Sequence, residues 1–114
     1  MVIAVDFDGT LVENKFPNIG APRQKIVDAV KFAKEQGHTL LLWTCRAGVE
    51  LDAAVNFCRD VLQIEFDKIN SDSDVFLEMY SSRPRKIGAD LYIDDKAITP
   101  EDFVKIMESS ISVK

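Results

Sequence analysis

The sequence predicts an α/β fold: a doubly wound, mostly parallel sheet with helices on both faces, in one domain over residues 1–114. Three observations predict it. Short apolar runs at Val2–Val5, Thr39–Trp43 and Ala89–Ile93 alternate with stretches of helical periodicity. The central run is apolar on successive residues, as a strand covered on both faces must be. Polar, chemistry-bearing residues follow the strands: Asp6 and Asp8 after the first, Thr44 and Arg46 after the second, Asp94 and Asp95 after the last. In open parallel sheets, ligands bind at those strand ends, near the switch in strand order.

Taken in order, Val2–Val5 is a buried strand by its β-branched run. Glu13 to Pro22, with Asn, Pro and Gly scattered through it, reads as a loop or small flap. From Arg23 the apolar positions Ile26, Val30 and Ala33, with Ala29 beside them, recur at helical spacing, with Pro22 suited to the first turn and Gly37 to the stop. His38–Trp43 reads as a central strand. Leu51, Ala54, Val55, Cys58 and Val61 then give the i, i+3, i+4, i+7 stripe of an amphipathic helix. Phe66–Ile69 reads as a weak third strand, Asp74–Tyr80 as a short helix and Ser81–Arg85 as loop. Ala89–Ile93 is the last strand. Thr99-Pro100-Glu101-Asp102 opens the last helix, with a hydroxyl cap, a proline at the first helical position and acids near the positive end of the helix dipole. No internal repeat, linker or low-complexity stretch interrupts this order.

Composition bounds the function. A chain of 114 residues, 46% hydrophobic and 29% charged, supports one core and is not a disordered acidic tail. A net charge of −5 argues against broad nucleic-acid binding, although it leaves room for a local basic pocket. The longest apolar run, Thr39–Trp43, is far short of the ~20 residues that span a bilayer. A strand pattern almost at Met1 leaves no room for a signal peptide. Cys45 and Cys58 lack metal-ligand spacing and are expected to be reduced thiols, so the expectation is a cytoplasmic protein. Cys58 lies on the apolar stripe and Trp43 among leucines, and both belong to the core. Cys45 has no base beside it, since the only histidine, His38, precedes the strand, and it reads as a packing or rim residue.

The chemistry concentrates at Asp6-Phe7-Asp8-Gly9-Thr10. Residues i and i+2 of a strand point to the same side, so Asp6 and Asp8 reach one site. Gly9 permits a sharp turn and Thr10 adds a hydroxyl. Carboxylates crowded at a strand end repel one another unless a cation or a proton holds them. That points to a hard metal such as Mg²⁺ with an anionic ligand, phosphate. Arg46 either binds that ligand or pairs with a neighbouring acid, and Lys86 precedes the last strand by a few residues.

These residues resemble the haloacid dehalogenase-like (HAD) superfamily of phosphatases and phosphotransferases. Asp6-Phe7-Asp8-Gly9-Thr10-Leu11 is similar to its first motif, a hydrophobic strand followed by DxDGT; Leu40-Leu41-Leu42-Trp43-Thr44 resembles the second, a strand ending in Ser or Thr. Lys86 fits the basic third motif, with Lys68, Arg83 and Arg85 nearby as alternatives, and Ile93-Asp94-Asp95 resembles the acidic fourth. The resemblance runs from residue 2 to about residue 98. It implies a Rossmann-like core in which Asp6 attacks phosphorus to form an aspartyl-phosphate, while Asp8 protonates the leaving oxygen and later deprotonates water. It further implies Mg²⁺ held by Asp6, the Asp8 backbone carbonyl and Asp94, with Asp95 orienting a metal-bound water or Lys86. Thr10, Thr44, Arg46 and Lys86 would then face the phosphorylated small-molecule substrate. The acid at Asp8 favours phosphoryl transfer over dehalogenation, which needs no leaving-group proton.

Members of this superfamily often carry a cap domain between motifs. Here Leu11–Pro22 holds only a short flap and Ser71–Arg85 has room for one short helix, so the resemblance is to a small capless member. Such an open site accepts a bulky phosphorylated molecule or borrows a lid from a neighbouring subunit of a homo-oligomer. Phe16, Pro17, Asn18 and Arg46 would form its rim. The stretch Lys86–Ala97 is similar to capless proteins labelled polysaccharide-biosynthesis phosphatases, a weak hint of a sugar phosphate. The alternative is a phospho-accepting or phosphate-binding regulatory module without turnover. Response-regulator receivers also use acids, Thr and Lys on such a sheet, but they carry the acidic pair at the first strand and the phosphorylated Asp at the third. Here the third strand ends in Asn70-Ser71-Asp72 and the pair comes late.

Overall fold

A computed structural model describes residues 1–79 and 85–112. The chain opens with β1 (Val2–Val5) and a two-stranded antiparallel hairpin, β2 (Val12–Lys15) and β3 (Asn18–Pro22). There follow α1 (Gln24–Glu35), β4 (Thr39–Leu42) and α2 (Gly48–Phe57), which runs into a π-helical turn at Cys58–Leu62. Then come β5 (Lys68–Ile69), α3 (Asp74–Met79), β6 (Leu91–Ile93) and α4 (Pro100–Ser112). The four strands of the main sheet are parallel and lie in the order β5-β4-β1-β6. Val2–Val5 pairs in register with Thr39–Leu42 on one side, and Ile3–Val5 with Leu91–Ile93 on the other. The fold is therefore the expected α/β architecture, a parallel sheet flanked by helices. The chain steps outward from β1 to β4 to β5 and then returns to the far side of β1, which puts the switch in strand order between β1 and β6.

The period of two along each strand divides the core. Ile3, Val5, Leu40 and Leu42 point to one face, where they meet Val27 and Val30 of α1, Ala54 of α2, and Cys58 and Leu62. Ala4 and Leu41 point to the other, against Ile87, with Val2, Trp43 and Ala89 packed around them. Cys58 and Trp43 are core residues, as their neighbours in sequence predict. Because the second cluster is smaller among the described residues, its walls can collapse further onto a void. Leu42→Ala is accordingly expected to cost about 3–5 kcal/mol and Leu41→Ala about 2–3 kcal/mol in urea unfolding, and equal losses would mean that the two faces are packed alike.

Three elements differ from the sequence expectation. Glu13–Pro22 is mostly strand: the hairpin was hidden because its side chains are largely exposed and carry no apolar alternation. Pro22 ends β3 rather than opening α1, and the Arg23 carbonyl accepts the N–H groups of Ile26 and Val27 to start the helix. Val61 is 58% exposed, although it sits on the predicted stripe. The π-turn adds a residue to the helical phase, so Leu62 takes the buried place, and Gln63 in the left-handed region (φ 59°) closes the turn. The last helix begins as expected, with Thr99 Oγ1 accepting the Asp102 N–H at 3.1 Å. Tyr80 and the predicted loop residues Ser81–Pro84 lie outside the described residues. Among the described residues no helix is long and apolar enough to cross a membrane.

Candidate functional site

The adjacent ends of β1 and β6 bring the acids together. The Asp6 N–H donates to the Ile93 carbonyl at 2.9 Å, continuing the ladder one step beyond β1 to the last residue of β6 and fixing Asp6 beside Asp94 and Asp95. Asp6, Asp94 and Asp95 each offer a carboxylate oxygen, and these oxygens all lie within 4.8 Å of one another. Behind them Thr10, 3% exposed, donates its hydroxyl to Asp6 Oδ2 at 3.4 Å and accepts the Asp95 N–H at 3.0 Å. Its hydroxyl is thus spent holding two members of the cluster, and its burial keeps it from substrate. Thr10, expected to face substrate, is placed behind the acids and is not among the residues lining the cleft. Gly9 makes the approach possible: its φ of +85° suits glycine, and a Cβ there would collide with the Asp95 carboxylate.

Burial pushes the Asp6 carboxyl up to about 6, with the negative charges of Asp94 and Asp95 adding to it. The Phe7 N–H and the Thr10 hydroxyl act in the opposite direction. Between about pH 4 and about pH 6 the folded protein keeps a proton on Asp6 that the unfolded chain has released. The stability contributed by that proton is complete below about pH 4 and lost as pH rises through about 6. In metal-free buffer, Asp6→Asn should therefore gain on the native protein between pH 4.5 and pH 7.5, by on the order of 1 kcal/mol once solvent screening is allowed for. Denaturant titrations at the two pH values check this, and a constant difference would show that burial does not raise the Asp6 carboxyl.

Asp8 has a different partner. The Arg46 fork grips it from both sides, Nε to Oδ2 at 2.7 Å and Nη2 to Oδ1 at 2.7 Å. Arg46 is 3% exposed. Of the two roles open to it from sequence, the structure shows the pairing with a neighbouring acid, and Arg46 also lines the cleft beside Asp8. The Asp8 carboxylate stands outside the three-acid cluster, so only its backbone carbonyl remains to serve a metal there.

Between the two acidic arrangements opens a cleft of about 300 Å³, lined by Asp6, Asp8, Thr44, Arg46, Asp94 and Lys96 together with Asn14, Phe16 and Cys45. Thr44 is placed by its own backbone, whose N–H donates to Asn70 Oδ1 at 2.8 Å. Its Oγ1 accepts the Arg46 N–H at 3.1 Å, which leaves the hydroxyl proton free to point into the cleft. Cys45 is an exposed thiol at the rim, as expected. Phe16 lines the cleft, whereas Pro17 and Asn18 spend their carbonyls on Arg46.

Lys86 is not brought to the cleft. Its ammonium sits 4.9 Å from the centre of the Tyr92 ring, exposed. Lys68, one of its alternatives, pairs with Asp74 at 2.9 Å, Arg85 is exposed, and Arg83 lies outside the described residues. Besides Arg46, the cleft is lined by one other cation among the described residues, Lys96, whose backbone N–H donates to Asp94 Oδ1 at 2.9 Å. Its signal in the sequence was plain adjacency, a lysine directly after Asp94-Asp95. Asn70, which seats Thr44, carried no such signal beyond its place after a short strand.

No protein-family model and no curated protein matches the chain. Among solved structures it is similar to a conserved protein from Bacteroides thetaiotaomicron, with 37% identity and a TM-score of 0.75 over 96% of this chain and 90% of that one.

Proposed function

The chain belongs to the same family as that conserved Bacteroides thetaiotaomicron protein, and on the chemistry of its own site we propose that it is a Mg²⁺-dependent phosphomonoesterase of HAD type. The observation that carries this reading is the division of labour between two acids at one strand end. Asp6 is crowded with Asp94 and Asp95, while Asp8 is held apart by Arg46. A cation held by the cluster would keep Asp6 in the carboxylate form that a nucleophile needs, which leaves Asp8, set apart from the three acids, to move the proton.

The residues fit a hard divalent cation. Three carboxylates within 4.8 Å are an oxygen donor set of the kind Mg²⁺ takes. Asp6, Asp94, Asp95 and the Asp8 carbonyl would hold it, and when bound it neutralises phosphoryl charge. Asp6 attacks phosphorus in line, the bond to the leaving oxygen breaks, and that oxygen takes a proton from Asp8. The carboxylate left on Asp8 then draws a proton from water, which hydrolyses the aspartyl-phosphate on Asp6. Each Asp8 oxygen keeps a second lone pair besides the one used by Arg46, so the grip leaves room for this proton. Thr44 and Lys96 supply the hydroxyl donor and positive charge for the phosphoryl oxygens, the role that the resemblance assigned to Thr44 and Lys86. A phosphorylated small molecule, a sugar phosphate among the candidates, is the substrate class. The free Cys45 thiol suits a reducing cytoplasm.

One observation favours a second reading. The two-pronged ion pair is also what a phosphate-binding regulatory module without turnover would use to keep Asp8 from acting. Phosphate release from p-nitrophenyl phosphate and a panel of alkyl monoesters separates the two. Turnover that requires Mg²⁺ and stops in EDTA is expected, with binding of phosphate but no release of product as the signature of the module.

A further inference from the structure

We propose that Arg46 is a positioning residue that joins Asp8 and the tip of the β2–β3 hairpin into one rigid wall of the cleft. All five guanidinium N–H directions are used. Two go to Asp8, one from Nη2 to the Asn18 carbonyl at 3.0 Å, and two from Nη1 to the carbonyls of Pro17 and Glu50 at 3.2 Å each. The plane is sandwiched between Phe7, 5.1 Å away on the core side, and Phe16, 5.0 Å away on the hairpin. With 1% of its side chain exposed, this cation has no solvent to fall back on. Three separate chain segments therefore converge on this one side chain of the loop after β4: the loop after β1, the hairpin tip and the first turn of α2.

The consequence is specific to a protein without a cap. A two-stranded hairpin with mostly exposed side chains is marginal on its own. Arg46 fastens its tip to the acid whose direction matters, so the wall that shapes the cleft and the group that moves the proton are set by the same contacts. A lysine in its place carries the charge but not the fork, and can satisfy Asp8 or the carbonyls but not both.

As a contribution to turnover, this rests on the phosphatase reading, and the experiment separates the two. Arg46→Lys, checked for fold by circular dichroism, should lower kcat on an alkyl phosphate by about 100-fold with KM within about threefold of native. It should lose only about tenfold on p-nitrophenyl phosphate, whose leaving group departs without a proton. Asp8→Asn should follow the same pattern, and the double variant should fall no further than Asp8→Asn alone. Hydrogen exchange over residues 14–19 should quicken about tenfold in Arg46→Lys while β1 and β4 are unchanged. Phe16→Ala, which removes only the exposed outer ring, should quicken the same amides and serves if Arg46→Lys does not fold. Native kcat in Arg46→Lys, multiplying losses in the double variant, or unaltered hairpin exchange would overturn the assignment. If the native protein hydrolyses no monoester, the phosphatase reading fails, and the exchange rates alone decide whether Arg46 holds the wall.

Discussion

Asp6→Asn is expected to lower kcat for every phosphate monoester by at least about 10³-fold while leaving the fold intact. The substitution is nearly isosteric, and Asn keeps an oxygen to accept the Phe7 N–H and the Thr10 hydroxyl. What disappears is the anionic oxygen to which the proposed mechanism gives the attack on phosphorus, and an amide offers no substitute nucleophile. The same change removes one of three negative charges crowded within 4.8 Å and the one half-buried carboxyl whose pKa stands at about 6. Stability in metal-free buffer near pH 7.5 should therefore rise as activity vanishes. Phosphate release, circular dichroism and urea titration together check this. Turnover within about tenfold of native would remove Asp6 from the nucleophile's role.

Gly9→Ala should damage the site by a different route. Alanine at φ +85° costs about 1 kcal/mol in backbone strain, and its Cβ drives into the Asp95 carboxylate. Asp95 cannot yield freely, because its N–H is held by Thr10 Oγ1 at 3.0 Å, so the carboxylate must swing out of the cluster. The expected result is about 2 kcal/mol lost in stability and a fall of at least about 100-fold in kcat/KM at limiting Mg²⁺, with more Mg²⁺ needed for half-maximal rate. Gly37→Ala is the control. Gly37 has φ +86° but open space around its missing Cβ, so it should lose about 1 kcal/mol and no activity. Equal effects at the two glycines would mean that strain alone, and not the Asp95 collision, explains Gly9.

Much of this was legible from residues a few positions apart. The β-branched run before Asp6, the leucines before Thr44 and the stripe along α2 each report which faces are covered, because a strand repeats every two residues and a helix every 3.6. Those periods were enough to place Asp6, Asp8, Thr44 and Asp94 at the ends of parallel strands, and the structure lines one cleft with all four. Even local patterns failed where the backbone changed its period, as at Val61, or where no face was buried, as in the hairpin.

The sequence by itself determined the alternation of strands and helices and which acids and hydroxyls stand at the strand ends. Only tertiary structure decided which cation serves which acid. Arg46, Lys86 and Lys96 look alike to any local rule, yet one is buried 38 positions away from its partner Asp8, one lies over Tyr92 and one lines the cleft. Thr10, beside the acids in sequence, turned out to stand behind them. The physical reason is that periodicity records burial repeated along one element. An ion pair depends on where two loops from distant elements meet, and that follows from strand order and packing alone.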